Sequence, residues 1–426
     1  MKKLHRFFVN LKMGADESTE ESEFNMQGPN QYCYDDATYS ATDNMAPSSK
    51  YSRIDGENIQ MFMDDNPLED EDGGTMLQTS ITKMAYNGYW SIKRPSGKCP
   101  TPRSAHFTAY SEELRTCFIG YGKKRDGTLL NDVWALDIDD LKWTKLKLTG
   151  DQISPREGAV ATMMGNYIVV FGGQEDENSY FAQLHTIDVT TGEVLIADAR
   201  GSKPAPRANP VIAIYRKRLY IWGGYNQAKV SELNVLDFAT MKWGIVDTTV
   251  KGRVGAAWAV SKQRIFVYGG AKSSSQFSVV DMKNNNVIKV DSQGSSPKSE
   301  VLNAGMVKVG GYLLFFGGEY KNNYTYVYAC ELSTLWWFVF FVAPDGETTS
   351  ISDGKISSDG VFQLPRTSSF SSIYDPVKRQ VLAFLGHPHK SVTPIFILSV
   401  GEAISFLNLR EDMMAMLELS LDDNGY

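Results

Sequence analysis

The chain has 426 residues, 42% apolar and 12% aromatic, with 36 glycines, a mixture that supplies a large core and suits a β-rich protein with many tight turns. Its formal charge of −7 is uneven: residues 15–75 hold sixteen acids against Lys50 and Arg53, while residues 76–426 carry 37 bases and 34 acids. Near-neutrality of that larger part argues against a nucleic-acid surface, the longest apolar run (LWWFVFFVA, 335–343) is far short of a membrane span, and the scattered Cys33, Cys99, Cys117 and Cys330 show no metal-ligand spacing and fit a reduced, cytoplasmic setting.

In chain order, the basic start MKKLHRFFVNLKMG is too broken for a signal-peptide core. Residues 14–80, with ADESTEESE and DDNPLEDEDGG, have few aliphatics and many acids. Residues 1–85 are therefore predicted to be a disordered acidic region. Short apolar runs ended by Gly, Asn, Asp or Pro then take over, and no helical periodicity appears before about residue 402.

Within this part VVFGGQED (169–176) recurs as YIWGGYNQ (220–227), FVYGGAKS (266–273) and LFFGGEYK (314–321), with weaker copies FIGYGKKR (118–125) and AFLGHPHK (383–390). Six copies at a roughly fixed period indicate a repeat architecture. Each unit opens on a basic residue: Arg103, Arg156, Arg207, Arg253, Lys298 and Arg366, preceded by proline in all but the Arg253 unit. Glycines follow 17 to 20 residues later, at Gly122, Gly172–Gly173, Gly223–Gly224, Gly269–Gly270, Gly317–Gly318 and Gly386. An acid comes next (Asp137, Asp188, Asp237, Asp281, Glu331), and six residues after it a large apolar residue (Trp143, Val194, Trp243, Val287, Trp337). The sixth unit has Ser399 and Ser405 at these two markers. Alternation and turn residues divide each unit into four short strands. The glycines are expected to supply positive φ and a missing Cβ where a strand ends beneath neighbouring turns.

The diglycine after an apolar run, the later Trp and the period of about 50 residues resemble the kelch repeat, best in NDVWALDIDDLKW (131–143) and SELNVLDFATMKW (231–243). The resemblance covers residues 89 to about 405; Tyr121 and Leu385 replace glycines, and two units have Val for Trp. It implies an all-β, six-bladed kelch-type β-propeller over residues 86–410, followed by a C-terminal tail at 411–426. Trp90 precedes Arg103 by thirteen residues, as Trp143 precedes Arg156, so GYWSIKR is expected to be a fourth strand that completes the last blade. AISFLNLR (403–410) is the competing strand. Residues 344–362 lengthen the interval between the fifth and sixth units and read as a mobile surface loop.

Function is expected to be non-enzymatic: an interaction scaffold or effector whose propeller face binds a protein partner. An acidic peptide, a small GTPase and a cytoskeletal protein are the candidate partners. In kelch adaptors, arginines at the opening position line the binding face; carried over by position, these are Arg103, Arg156, Arg207, Arg253, Lys298 and Arg366. The structural alternative is that each guanidinium is bound to its own blade. The acidic region could then shield a basic ring. A kelch-type oxidase, lyase or epimerase is the alternative function. His5, His106, His185, His387 and His389 form no recognisable ligand set. No cofactor or metal is expected, and the propeller is expected to be monomeric. GKKRDG (122–127) and YRKRLY (215–220) read as solvated hairpin tips.

Overall fold

The computed structural model describes residues 87–400 apart from 359, 391 and 392. The acidic region, AISFLNLR and the C-terminal tail lie outside them. Six antiparallel four-stranded blades follow one another around a channel. Blade 1 runs from Phe107 to Lys145, blade 2 from Glu157 to Ile196, blade 3 from Val211 to Val246, blade 4 from Ala257 to Val290 and blade 5 from Leu302 to Pro344. Blade 6 takes three strands from Ser371–Ser399 and its fourth from Asn87–Lys93. The ring is closed by a strand from the other end of the fold.

Its register shows why the sixth unit lacks its last marker. Trp143, Val194, Trp243, Val287 and Trp337 each pair with the residue before their unit's acid: Leu136, Ile187, Leu236, Val280 and Cys330. Trp90 pairs with Leu398, the residue before Ser399. Trp90 is thus the displaced sixth marker.

The constant offset of six comes from the hairpin between the third and fourth strands. The acid's Oδ1 accepts the N–H groups two and three residues on, as Asp137 does from Asp139 and Asp140, and Asp237 from Ala239 and Thr240. The residue four after the acid is left-handed in five units: Leu141, Gly192, Met241, Asn285 and Leu335. A capped turn followed by one left-handed residue fixes the loop length, and with it the position of the large side chain.

That side chain packs one blade on the next. Six buried clusters lie at the six blade interfaces. Trp143 sits with Ile373 and Phe384 of blade 6, Trp337 with Phe266 and Phe277 of blade 4, and Trp90 with Leu314 and Phe316 of blade 5. Backbone bonds reinforce them. The second glycine of each pair donates to the opening residue of the next blade: Gly122 to Arg156 (2.8 Å), Gly173 to Arg207, Gly224 to Arg253, Gly270 to Val301, Gly318 to Thr367, and Gly386 back to Arg103 (2.8 Å). A Cβ on Gly172 would lie 2.5 Å from the Arg207 carbonyl oxygen, which accounts for one of the left-handed glycines. Nearer the axis, Ala105, Gly158, Asn209, Gly255, Asn303 and Ser369 are all left-handed. Their peptide groups link blade to blade, with Gly158 donating to Ala105 and Ala105 to Ser369.

The insertion differs from the expected mobile loop. Lys355–Ile356 and Phe362–Pro365 form a small sheet with Tyr324–Thr325, and Phe362 and Leu364 are buried beside Trp90. Asp345 N–H and the Thr349 hydroxyl both donate to the Trp90 carbonyl. Its apolar residues at 361, 362 and 364 are what hold it down. No helix among the described residues is long and apolar enough to cross a membrane.

Candidate interaction surface

In a four-stranded meander, the linkers into the blades and the second-to-third-strand loops share one end of the channel. The first and third hairpins share the other. The opening arginines and the glycines belong to the first end.

There the arginines are interior groups. Arg103, Arg156, Arg207 and Arg253 are 0%, 1%, 0% and 6% exposed. Each Nη1 donates to the carbonyl at the first-glycine position of its own blade: Tyr121 (3.1 Å), Gly172 (3.3 Å), Gly223 (3.4 Å) and Gly269 (2.9 Å). The rest of each guanidinium meets the segment leading into the third strand. Arg103 pairs with Asp132 at 2.5 Å, Arg156 donates to Gln183, Arg207 to Glu232, and Arg253 to the Gln276 carbonyl. Desolvation lowers the pKa of Arg156 and Arg207 and brings Arg253 down to about 10, so Arg253 remains a cation at neutral pH. Four of the six sequence candidates are thus folded into their blades, in the arrangement of the structural alternative.

In the last two units the register slips. The N–H of Gly270 finds Val301, not Lys298, and that of Gly318 finds Thr367, not Arg366. Lys298 is exposed in the linker before blade 5. Arg366 is half-buried and donates to Gly317 (2.9 Å) and Gly318 (3.3 Å), taking the place in blade 5 that Lys298 leaves open. The Pro–basic pair at 297–298 mimicked the marker; counting from Val301 restores the spacing of 17 residues to the second glycine.

The histidines divide in a similar way. His185 is fully buried in the third strand of blade 2, and its Nε2 shares a hydrogen bond of 2.6 Å with the Tyr121 hydroxyl. His106 Nε2 meets Ser371 Oγ at 2.7 Å across blades 1 and 6. Burial first, then nearby Arg103 for His106 and Arg156 for His185, takes both down to about 3. Both are neutral, packed groups at physiological pH. No group of three or more His, Cys, Asp or Glu among the described residues is arranged to hold a metal ion.

The opposite end carries the exposed charge. Arg216, Lys217 and Arg218 form the first hairpin of blade 3. Lys262, Arg264 and Lys283 lie on the turns of blade 4 and Lys308 on that of blade 5; all seven are exposed. Of the acids on these turns, Asp281 is buried, and Asp237 and Glu331 are half-buried; Asp237 and Asp281 accept N–H groups of their own turns. Asp237 also pairs with Arg218 at 3.4 Å, so Arg218 adds little to the patch's net charge and the other six bases carry it. On blade 1 the same end is acidic, with Glu112, Glu113, Asp139 and Asp140 exposed. Arg216 and Lys217 are both left-handed, φ 46° and 60°. A two-residue turn with two left-handed positions ordinarily takes Asn-Gly, and each side chain here costs about 1 kcal/mol. The basic hairpin was visible as a tip in YRKRLY; its grouping with blades 4 and 5 depends on topology.

Residues 70–270 match the family described as the KLHDC2/KLHL20/DRC7 Kelch-repeats domain. That stretch, a little under half of the chain, carries kelch repeats. Among curated kelch and other relatives, it is 24% identical over 313 residues to Acyl-CoA-binding domain-containing protein 5 of Arabidopsis thaliana, covering 69% of this chain and 48% of that one. It is 27% identical over 199 residues to Kelch domain-containing protein 3 of Rattus norvegicus, covering 43% and 52%. Host cell factor 2 of Homo sapiens is 29% identical over 167 residues, covering 32% of this chain and 20% of the relative. The chain thus spans about half or less of the length of these relatives.

Proposed function

We propose that this kelch propeller is a non-enzymatic protein-interaction module that captures acidic polypeptide segments on the hairpin end of blades 3–5. The observation that carries the reading is the Arg216–Lys217 turn. Two long cations occupy left-handed positions where glycine or asparagine would be more stable, beside five further exposed bases. Two adjacent strained positions filled by cations at a charged surface support a functional reading. A small GTPase or a cytoskeletal protein would qualify through an acidic surface segment.

The test is binding of a fluorescent poly-glutamate peptide. With surface pairs of up to about 1 kcal/mol each, Arg216→Glu, Arg218→Glu and Arg264→Glu together are expected to weaken binding by about tenfold or more. Affinity should fall as salt is raised. Undiminished binding by the triple variant would sink the proposal.

A further inference from the structure

The outer edges of the blades are not equivalent. In blades 2, 3 and 5 the linker leading into the blade lays two residues parallel to the fourth strand: Thr149–Gly150 along Glu193–Val194, Arg200–Gly201 along Lys242–Trp243, and Gln293–Gly294 along Trp336–Trp337. Linker N–H groups donate to two strand carbonyls each time, as Gln293 does to Leu335 and Ser295 to Trp337. Blade 1 has a single such bridge, Ser96 with Lys142. In blade 6, Phe341–Pro344 runs parallel to Asn87–Trp90 and Asp345 N–H reaches the Trp90 carbonyl.

Blade 4 is the exception. Its fourth strand, Asn286–Val290, has no parallel partner among the described residues. The reason lies in the linker. Trp243 and Arg253 are ten residues apart, against thirteen between Val194 and Arg207. The short linker turns back on blade 3, where Thr248 Oγ1 donates to the Ser231 carbonyl (2.6 Å) and Gly252 N–H to Ser231 Oγ (3.0 Å). The carbonyls of Asn285 and Val287, equivalent to those of Leu335 and Trp337, therefore face outward beside exposed Ile288 and Lys289.

We propose that this edge receives an extended segment of a partner polypeptide of sequence X-Gly-Asp, added as a parallel fifth strand. Blades 2, 3 and 5, whose covering linkers share the same two-residue parallel pairing, define its chemistry; blade 6 is covered by Phe341–Pro344 without a glycine. Glycine is required because a Cβ on Gly150, Gly201 or Gly294 would come within 2.5, 2.4 or 2.1 Å of the facing carbonyl oxygen, and all three are left-handed. The acid follows from blade 2, where Asp151 Oδ2 accepts the outward N–H of Ile196 at 2.7 Å; the equivalent donor in blade 4 is Lys289. Main-chain bonding supplies affinity, and the glycine and acid supply selectivity. This site is separate from the basic hairpin end, so the two proposals stand or fall independently.

The probe is a labelled peptide with the sequence of residues 147–154, KLTGDQIS, added to the full chain. It should bind saturably and slow hydrogen exchange at Val287 and Lys289, and replacing its glycine by alanine should weaken binding at least tenfold. Two variants should lose the peptide while melting as cooperatively as the parent. One replaces residues 247–252 with the sequence of residues 198–206, letting the chain cover its own edge. The other is Lys289→Pro, which removes an outward N–H that an edge strand tolerates losing. The proposal is overturned by absence of binding at millimolar peptide, by equal binding to the grafted variant, or by Val287 and Lys289 amides already protected in the full chain without peptide.

Discussion

The interface between blades 4 and 5 and the one between blades 6 and 1 perform the same task with different physics. The first is aromatic. Trp337 stacks on Phe277 at 5.5 Å, and Tyr268 touches Phe277, Phe315 and Trp337. The second keeps an apolar centre around Trp143 and Phe384 but adds charge and hydroxyls. Arg115 makes a bidentate pair with fully buried Asp375 (2.5 and 2.9 Å) and another with Asp139, which Lys378 also meets. Ser371 joins His106 and Thr108 at 2.7 Å. Blades 6 and 1 also place ordinary residues, Tyr121, Leu385, Ala105 and Ser369, at left-handed positions where other blades mostly use Gly or Asn. Directional polar contacts hold this junction where backbone freedom is less.

The comparison is broken most severely at the aromatic interface. Trp337→Ala should cost about 3–5 kcal/mol in denaturant unfolding, with little dependence on pH. Asp375→Asn should cost less, about 1–3 kcal/mol, because Arg115 retains some solvent and Asp139. Ser371→Ala, which removes the hydroxyl shared by His106 and Thr108, should cost about 1 kcal/mol.

Acid sharpens the contrast further. Burial raises the Asp375 carboxyl, but the Arg115 bonds and the turn N–H groups outweigh it and hold the group below the ordinary range; Asp139 is likewise depressed by Arg115 and Lys378. As pH falls, the unfolded chain takes up protons first. This stabilisation is therefore complete above about pH 4 and is lost as pH drops through the depressed folded values. Acid unfolding of Asp375→Asn should be shallower than that of the parent, whereas Trp337→Ala should keep the parent's acid slope. Equal slopes for all three would remove the ionic account of the junction. At the hairpin end the sign reverses: Arg216→Asn with Lys217→Gly should raise stability by about 1–2 kcal/mol while weakening poly-glutamate binding.

Much of this fold was legible because its markers are local. The acid-to-Trp offset is one hairpin, and the glycine pairs are one strand end, so each repeats whenever the blade repeats. Trp90 was legible by the same arithmetic, since its thirteen residues to Arg103 match those of the intact units. Lys298 and Arg366 were misplaced because a proline and a base can precede a strand without entering it; the backbone bond that identifies Val301 and Thr367 leaves no side-chain signature. The Arg115–Asp375 pair joins residues 260 apart and recurs in no repeat. The bare edge of blade 4 did leave a trace, a linker three residues shorter and without the covering glycine, but its meaning needed the five covered edges for comparison.

Tyr89 pairs with Ser399 across 310 positions of sequence. At roughly 5–20 residues per second, a ribosome needs about 15–60 s to make the intervening chain. During that interval Asn87–Lys93 has been synthesised and its partner strand has not. Trp90, almost fully buried in the finished ring, is therefore an apolar side chain without its native neighbours for most of the propeller's synthesis. The earliest strand of this fold is among the last to settle, and a nascent chain arrested before residue 395 should be the form that chaperones hold longest.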